Sequence, residues 1–151
     1  IGNKLNLPKT EIKKLKDIGY YHDIGKIILD DKILKDGIVM SDDEITKKHS
    51  HSAVGYRILN LFDFTLDLAE GVFSHHERWN GTGYPKGLKG EEIPLLARIV
   101  AVAEHYDRIT GGYTKNPLTG EQALQKINGM AGVQFDPGIT NVFIEMMSEK
   151  E

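Results

Sequence analysis

The run IVAVA, from Ile99 to Ala103, is apolar on every side of a helix. A helix without a polar face is stable only when it is buried, so this segment predicts a central helix with other elements around it. Helical periodicity dominates the rest of the chain, and no convincing alternation of polar and apolar residues marks a β-strand. The sequence therefore predicts an all-α fold. A chain of 151 residues is long enough for one such domain with a single core.

Capping and turn residues divide the chain into six predicted helices. The first begins near Pro8 and runs into His22 and Asp23, where Gly25 loosens its end. The polar loop that follows contains Asp30, Asp31, Asp36 and Gly37. The other helices are predicted to run from Ser41 to about Phe62, from Asp63 to Trp79, from Ile93-Pro94 to Gly111-Gly112, from Thr119 onwards, and from Asp136-Pro137 onwards.

The composition excludes several kinds of partner. The formal charge is −3, and acids and bases are interspersed without the basic stripe that binds a polymeric nucleic acid. No cysteine is present, which excludes disulfides and thiolate metal sites, and no apolar run is long enough to cross a bilayer. We therefore expect a cytoplasmic domain without membrane insertion. Because the chain opens at Ile1 without a methionine, we also expect residues 1–151 to be one domain that lacks its first helix and any upstream regulatory domain.

The histidines are distributed unevenly, since all six lie between positions 22 and 105. A single histidine is most often a core residue bonded to a backbone carbonyl, or an inert surface residue. Five of these six, however, fall in or beside helix faces that are predicted to point inward. His51 shares an apolar stripe with Val54 and Ile58, whereas His49 falls on a different face. We therefore favour His51 over His49 as a functional residue.

Six imidazole and carboxylate side chains from four predicted helices are candidates to converge on a common point. They are His22, Asp23, His51, His75, His76 and Glu104. Imidazole and carboxylate ligands without thiolate suit iron, manganese or zinc. Six ligands are more than one hydrolytic ion uses while it keeps room for water. We therefore predict two divalent ions bridged by Asp23, in a site between the central helices.

Two charged residues near this point have alternative interpretations. Glu104 lies on the inward side of the apolar helix, where an unpaired carboxylate is costly and requires a cation. If the helix is rolled the other way, Glu104 instead forms a surface ion pair with Arg108 at i+4. Lys26 follows His22 by about one turn. It can place a positive charge over an anionic substrate, and it can also simply complement the helix dipole.

Four stretches of the sequence together resemble the HD-GYP subgroup of the HD-domain phosphohydrolases. They are HDIGK at residues 22–26, the spacing from His51 to Gly55, HHERWNGTGYP at residues 75–85, and ARIVAVAEHYDRIT at residues 97–110. They occur in the family's order and cover almost the whole chain. The resemblance implies an HD-domain helical bundle. It also implies a bacterial phosphodiesterase that hydrolyses the second messenger cyclic di-GMP to the linear dinucleotide, GMP or both.

The resemblance implies roles for individual residues as well. The family's metal ligands correspond to His22, Asp23, His51, His75 and His76. The centre would hold two or three ions, with iron or manganese favoured and zinc, nickel or magnesium as alternatives. Asp23 and Lys26 would act in catalysis, and Lys26 would offset charge on the reacting phosphate.

The signature loop of the subgroup corresponds to Gly83, Tyr84 and Pro85. Three interpretations of this loop are open: a border of the substrate cleft that contacts substrate, a docking surface for a protein partner, or a stable turn without contacts. The sequence leaves the oligomeric state open.

The chain departs from the family pattern at several positions. Glu104 stands where the family usually has aspartate, and Asp107 is an alternative carboxylate one turn later. Asn80 replaces an aspartate ahead of the signature loop, and the segment 111–115 lacks the arginines that family members commonly carry there. These differences keep two alternatives open: a catalytically inactive domain that binds or regulates, and a phosphohydrolase for another nucleotide.

Overall fold

The computed structural model describes residues 1–34, 39–111 and 114–149. Four residues of the predicted segments lie outside these ranges. They are Asp36 and Gly37 of the predicted loop, Gly112 at the predicted end of the central helix, and Tyr113 after it. Within the described residues the helices are α1 Lys9–Tyr21, α2 Asp31–Leu34, α3 Asp42–Leu59, α4 Leu66–Ser74, α5 Leu95–Thr110, α6 Gly120–Asn128 and α7 Pro137–Ser148. Short 3-10 turns cover Ile24–Ile28, Asp63–Thr65 and Gly90–Glu92. Extended pairing in the described ranges is limited to two isolated bridges, which confirms the predicted all-α fold.

α5 is the central helix, as its apolar sequence predicts. Ile99 and Val102 belong to a core cluster formed with α6 and α7, whereas Val100 belongs to a second cluster formed with α1 and α4. The remaining face of α5 carries Ala103 and Glu104 and borders a cleft. The run is therefore apolar on several sides because the helix packs against partners on several sides.

Side-chain caps begin three of the helices where the sequence predicts them. The Ser41 hydroxyl accepts a hydrogen bond from the Glu44 amide at 3.3 Å, and the Glu44 carboxylate accepts from the Ser41 amide at 2.9 Å. Thr119 and Gln122 form the same reciprocal pair ahead of α6. Asp136 caps α7, with Pro137 in its first turn.

The helix predicted over Asp63 to Trp79 is wrong in its extent. It is divided into a 3-10 turn and α4, and α4 ends at Ser74, before the paired histidines. The helix predicted to reach Phe62 ends earlier, at Leu59. The Thr65 hydroxyl donates to the carbonyls of Leu59 and Phe62 and so stabilises a turn at this point instead of a further helical turn.

The predicted polar loop after Gly25 also contains structure that its composition did not indicate. Residues Ile24–Ile28 form a 3-10 turn and Asp31–Leu34 form the short helix α2. Ile33 of α2 is 4% exposed. Within α2 only Ile33 is buried, and one buried position in four residues gives too weak a pattern to predict a helix.

The 3-10 turn after α1 packs directly against α3. Gly25 is buried, and a Cβ atom at this position would overlap the backbone carbonyl of His51 and lie 2.6 Å from the amide nitrogen of Gly55. Only glycine permits this approach. The contact brings Asp23, at the start of the turn, beside the His51 side chain.

Among the described residues, no helix combines the length and apolar character that a bilayer crossing requires. The cytoplasmic location stays a prediction.

Candidate metal centre

Four candidate ligands meet where the end of α1, the middle of α3 and the end of α4 come together. Asp23, His51, His75 and His76 each present one oxygen or nitrogen atom, and these four atoms all lie within 4.8 Å of one another. The Nε2 atom of His51 is 3.4 Å from Nε2 of His75 and 3.4 Å from Oδ1 of Asp23. His51 and His75 are almost fully buried. We call these four residues the central group.

Backbone carbonyls fix the orientation of three imidazole rings. The Nδ1 atoms of His22, His51 and His75 lie 2.8, 2.6 and 2.6 Å from the carbonyl oxygen three residues earlier in each case. Because a carbonyl oxygen can only accept, Nδ1 carries the proton, and in the neutral ring Nε2 keeps its lone pair. This outer hydrogen bond is the arrangement that orients metal-binding histidines.

Burial keeps the histidines of the central group neutral. It lowers the pKa of His75 to about 3. Burial, with the adjacent His75 as a further cause, lowers the pKa of His76 to about 2. The pKa of His51 is also lowered by burial. At neutral pH these rings are therefore in the form that binds a metal ion.

Asp23 is held as a carboxylate. Burial opposes its ionisation, but hydrogen bonds from His22 and Lys26 outweigh burial and hold the pKa of Asp23 well below its usual range. Its Oδ2 atom is 3.3 Å from Nε2 of His22 and 2.6 Å from Nζ of Lys26. Burial also disfavours the charged form of His22, yet the hydrogen bond to Asp23 outweighs it and raises the pKa of His22.

Glu104 lies outside the central group. Its side chain borders the same cleft as Asp23 and His22, and its Oε1 atom is 3.5 Å from Nε of Arg108. Glu104 thus faces the cleft and also pairs with the arginine at i+4. Burial raises the pKa of Glu104. Asp107 borders the cleft too, and the assignments of Glu104 and His22 as metal ligands stay predictions.

The signature loop forms one wall of the cleft. Tyr84 borders the cleft, and its ring centre is 4.9 Å from that of His76. A Cβ atom at Gly83 would lie 2.5 Å from the Cα atom of Glu77, so the loop can approach the chain after α4 only with glycine at this position. The peptide bond between Tyr84 and Pro85 is cis. Contact of the loop with substrate or with a protein partner stays a prediction.

Glu77 is a structural anchor of this site to which sequence reasoning assigned no role. The residue is 4% exposed, and its carboxylate accepts hydrogen bonds from three successive backbone amides. These amides belong to Lys86, Gly87 and Leu88, at 2.7, 3.1 and 3.0 Å. An acidic residue between the paired histidines and a glycine-rich loop is the signal that could have indicated this anchor.

The central group opens into a cleft of about 980 Å³, at the upper end of the range for small-molecule sites. Asp23, His51 and His76 line this cleft. Apolar residues of α1, α5 and α7 also line it, among them Leu15, Ile99, Phe143 and Met146. Neutral imidazoles and an ionised carboxylate without thiolate fit divalent metal ions such as iron, manganese or zinc. The arrangement can therefore hold metal at the wall of a cleft large enough for a nucleotide ligand.

Comparison with known proteins identifies the family. The family description "HD domain" matches residues 1–139 of this chain. A solved structure of a cyclic GMP-AMP-specific phosphodiesterase from Vibrio cholerae superposes with a TM-score of 0.77 at 25% identity. The superposition covers 98% of this chain and 41% of the chain in that solved structure. The chain belongs to the HD-domain family and, within it, to the HD-GYP subgroup, and the predicted HD-domain bundle is confirmed.

Two curated relatives show the range of similar proteins. The chain is 34% identical over 152 residues to a cyclic di-GMP phosphodiesterase of Thermotoga maritima. This alignment covers 99% of the chain and 41% of the Thermotoga protein. The chain is 30% identical over 155 residues to the 3'3'-cGAMP-specific phosphodiesterase 2 of Vibrio cholerae. This alignment covers 99% of the chain and 29% of the Vibrio protein. The chain thus spans less than half the length of these relatives.

Proposed function

We propose that this domain is the catalytic unit of a metal-dependent phosphodiesterase that hydrolyses cyclic di-GMP to the linear dinucleotide, GMP or both. The observation that carries the proposal is the convergence of Asp23, His51, His75 and His76 within 4.8 Å beside a large cleft. The similarity to proteins named as cyclic di-GMP phosphodiesterases supports the substrate class.

We infer two divalent ions, with iron or manganese favoured and zinc, nickel or magnesium as alternatives. The central group has the size of one coordination shell, because its ligand atoms lie within 4.8 Å of one another. His22 and Glu104 line the same cleft as this group and are the candidate ligands of the second ion. When bound, such ions polarise the phosphate and lower the pKa of water to about 7, so that water can attack phosphorus at neutral pH.

The side chains of the chain itself have separate tasks in this proposal. Asp23 stays ionised and holds His22 and Lys26 through its Oδ2 atom, while its Oδ1 atom faces His51. The Lys26 ammonium borders the cleft and would offset the charge that builds on the phosphate in the transition state. Burial raises the pKa of Tyr84, so its phenol stays protonated and can donate a hydrogen bond to a phosphate oxygen. Gly83 and Pro85 would hold this phenol at the cleft.

A second candidate substrate is a mixed cyclic GMP-AMP dinucleotide. Two relatives with this named specificity match the chain, at 30% and 33% identity. Both candidate substrates contain two purines and two phosphodiesters in one ring, so the metal chemistry is shared. Only base recognition separates them.

The test is turnover of both dinucleotides by protein reconstituted with manganese or iron, with products separated by chromatography. We expect the wild-type domain to produce linear dinucleotide or GMP, and the Asp23→Ala variant to lose both turnover and metal content. Asp43→Ala, an exposed aspartate in the first turn of α3, is the matched control and should match wild type. Near-normal hydrolysis by Asp23→Ala would refute the assignment of the centre. Binding of a dinucleotide without product would instead indicate the inactive, regulatory module.

A further inference from the structure

The positively charged side chains of the cleft differ in their availability to a ligand. Among the described residues, the lysines and arginines that line the cleft are Lys26, Lys48 and Arg108. Lys26 is paired with Asp23 at 2.6 Å and belongs to the centre already described. The Arg108 side chain is 52% exposed. Arg108 therefore offers a guanidinium to the cleft away from Asp23.

The guanidinium of Arg108 is held in place by two neighbours on α5. Its Nη2 atom donates to Nδ1 of His105 at 2.9 Å, and its Nε atom is 3.5 Å from Glu104. His105 is itself 5% exposed and packs edge-on against Phe135, with ring centres 5.2 Å apart. A buried imidazole thus supports the arginine from the core side. Arginine has five N–H donors, and the described residues provide no further acceptor for those of Arg108.

A cyclic dinucleotide has two phosphodiesters on opposite sides of its ring. When one of them reacts at the metal centre beside Lys26, the other lies further along the cleft and brings a negative charge with it. An oriented guanidinium matches two oxygens of a phosphate, which a lysine ammonium does not do. Arg108 is the oriented guanidinium that this cleft provides.

We propose that Arg108 binds the second, non-reacting phosphodiester of the substrate and thereby selects cyclic dinucleotides over substrates with one phosphate. This inference rests on the proposed function and deepens it. The position within α5 makes the contact independent of segment 111–115. Arg108 would act on substrate affinity and leave the chemical step at the metal centre unchanged.

The experiment compares two substrates on the metal-reconstituted domain: cyclic di-GMP, with two phosphodiesters, and bis(p-nitrophenyl) phosphate, with one. For Arg108→Gln we expect kcat/KM to fall about tenfold or more with cyclic di-GMP, because a charge-assisted hydrogen bond is lost. With bis(p-nitrophenyl) phosphate it should stay within about twofold of wild type, since that substrate makes no such bond. Arg108→Lys should recover only part of the loss. Arg57→Gln changes an exposed arginine of α3 outside the cleft and should match wild type with both substrates.

Several results would overturn the inference. An equal loss with both substrates, or a loss of metal content in Arg108→Gln, would show that Arg108 only supports Glu104 or the fold. A selective loss in Lys48→Met, with none in Arg108→Gln, would transfer the role to Lys48. Calorimetric titration with cyclic di-GMP separates this inference from the proposed function. Binding that weakens about tenfold in Arg108→Gln without any hydrolysis by wild type would refute the function and support the inference. Absence of binding to wild type would refute both.

Discussion

The imidazole ring of His49 lies flat against the phenol ring of Tyr84, with ring centres 3.8 Å apart and ring planes 14° from parallel. On its other side Tyr84 faces His76, at 4.9 Å between ring centres. The signature tyrosine is therefore held between an exposed residue of α3 and a member of the central group. His49 lies on a different helical face from His51, and it supports the cleft through its stack on Tyr84, which lines the cleft.

Removal of this stack is expected to weaken substrate binding. An aromatic pair contributes about 0.5–1.5 kcal/mol beyond its buried area, so His49→Ala should raise KM for the cyclic dinucleotide by about two- to tenfold. The value of kcat should change less, because the ligands of the central group remain in place. His49→Phe keeps a flat ring at this position and should restore KM. Steady-state kinetics on metal-loaded protein measure this, and equal KM values for the alanine and phenylalanine variants would contradict a stacking role.

Glu77 connects the chain after α4 to the signature loop through three backbone amides. Glu77→Ala removes a buried carboxylate and leaves these three part-buried amides without their charged acceptor. We expect the free energy of unfolding to fall by about 3 kcal/mol, measured by urea denaturation of metal-free protein. Glu70→Ala removes an exposed carboxylate of α4 that lies 3.8 Å from Lys86, and it should cost less than about 1 kcal/mol. Similar losses in the two variants would contradict the anchoring role.

Local signals predicted the fold well where they act alone. The caps at Ser41, Thr119 and Asp136 begin their helices because each cap bonds to amides within three residues. The end of α4 was not predictable in this way. Its apolar periodicity continues towards His76, while the loop that replaces a further helical turn is fixed by Glu77 through residues 86–88. A contact between distant residues therefore decides a boundary that periodicity cannot locate.

The candidate site shows the same division between local and distant information. The sequence predicts six candidate ligands, and the structure places four of them in one compact group: Asp23, His51, His75 and His76. The rotation of α5 and the reach of the Arg108 side chain decide where Glu104 points, and neither follows from spacing along the chain. The stack of His49 on Tyr84 joins two segments that are 35 residues apart. Periodicity along one helix cannot predict such a contact.

Gly25 provides a test of how the metal centre is assembled. Its Cα approaches the backbone of α3 so closely that Gly25→Ala must separate the turn carrying Asp23 from His51. We expect a loss of at least about 3 kcal/mol in the free energy of unfolding, because the clash is with backbone that cannot rotate away. The variant should also bind manganese more weakly by calorimetry.

Gly19→Ala is the control for this glycine substitution. Gly19 lies in α1, and a Cβ atom there would have no atom within 4 Å. Alanine favours the helix, so the free energy of unfolding should rise by about 0.5–1 kcal/mol and metal affinity should be unchanged. A Gly25→Ala protein with the stability and manganese affinity of Gly19→Ala would contradict the role of this close approach.

His105 makes the stability of the protein depend on pH. Burial, and then the positive charge of Arg108, lower the pKa of His105 to about 4, whereas an unfolded histidine titrates near 6.5. Between these values the unfolded chain binds the extra proton, so the free energy of unfolding falls as pH decreases from about 6.5 to 4. The loss reaches at most about 3 kcal/mol at the lower value and is absent above pH 7. Other buried histidines add to it in the metal-free protein.

The contribution of His105 can be isolated with His105→Gln, whose neutral amide can still accept a hydrogen bond from Arg108. Urea denaturation of metal-free protein at pH 7 and pH 5 gives the pH-dependent loss of stability for each protein. We expect this loss to be smaller in His105→Gln than in wild type by about 2 kcal/mol, because glutamine does not titrate. The remaining histidines contribute equally to both proteins and cancel in the comparison. Parallel pH dependence in the two proteins would show that His105 has the same pKa in the folded and unfolded states, and would contradict the lowering of its pKa by burial and by Arg108.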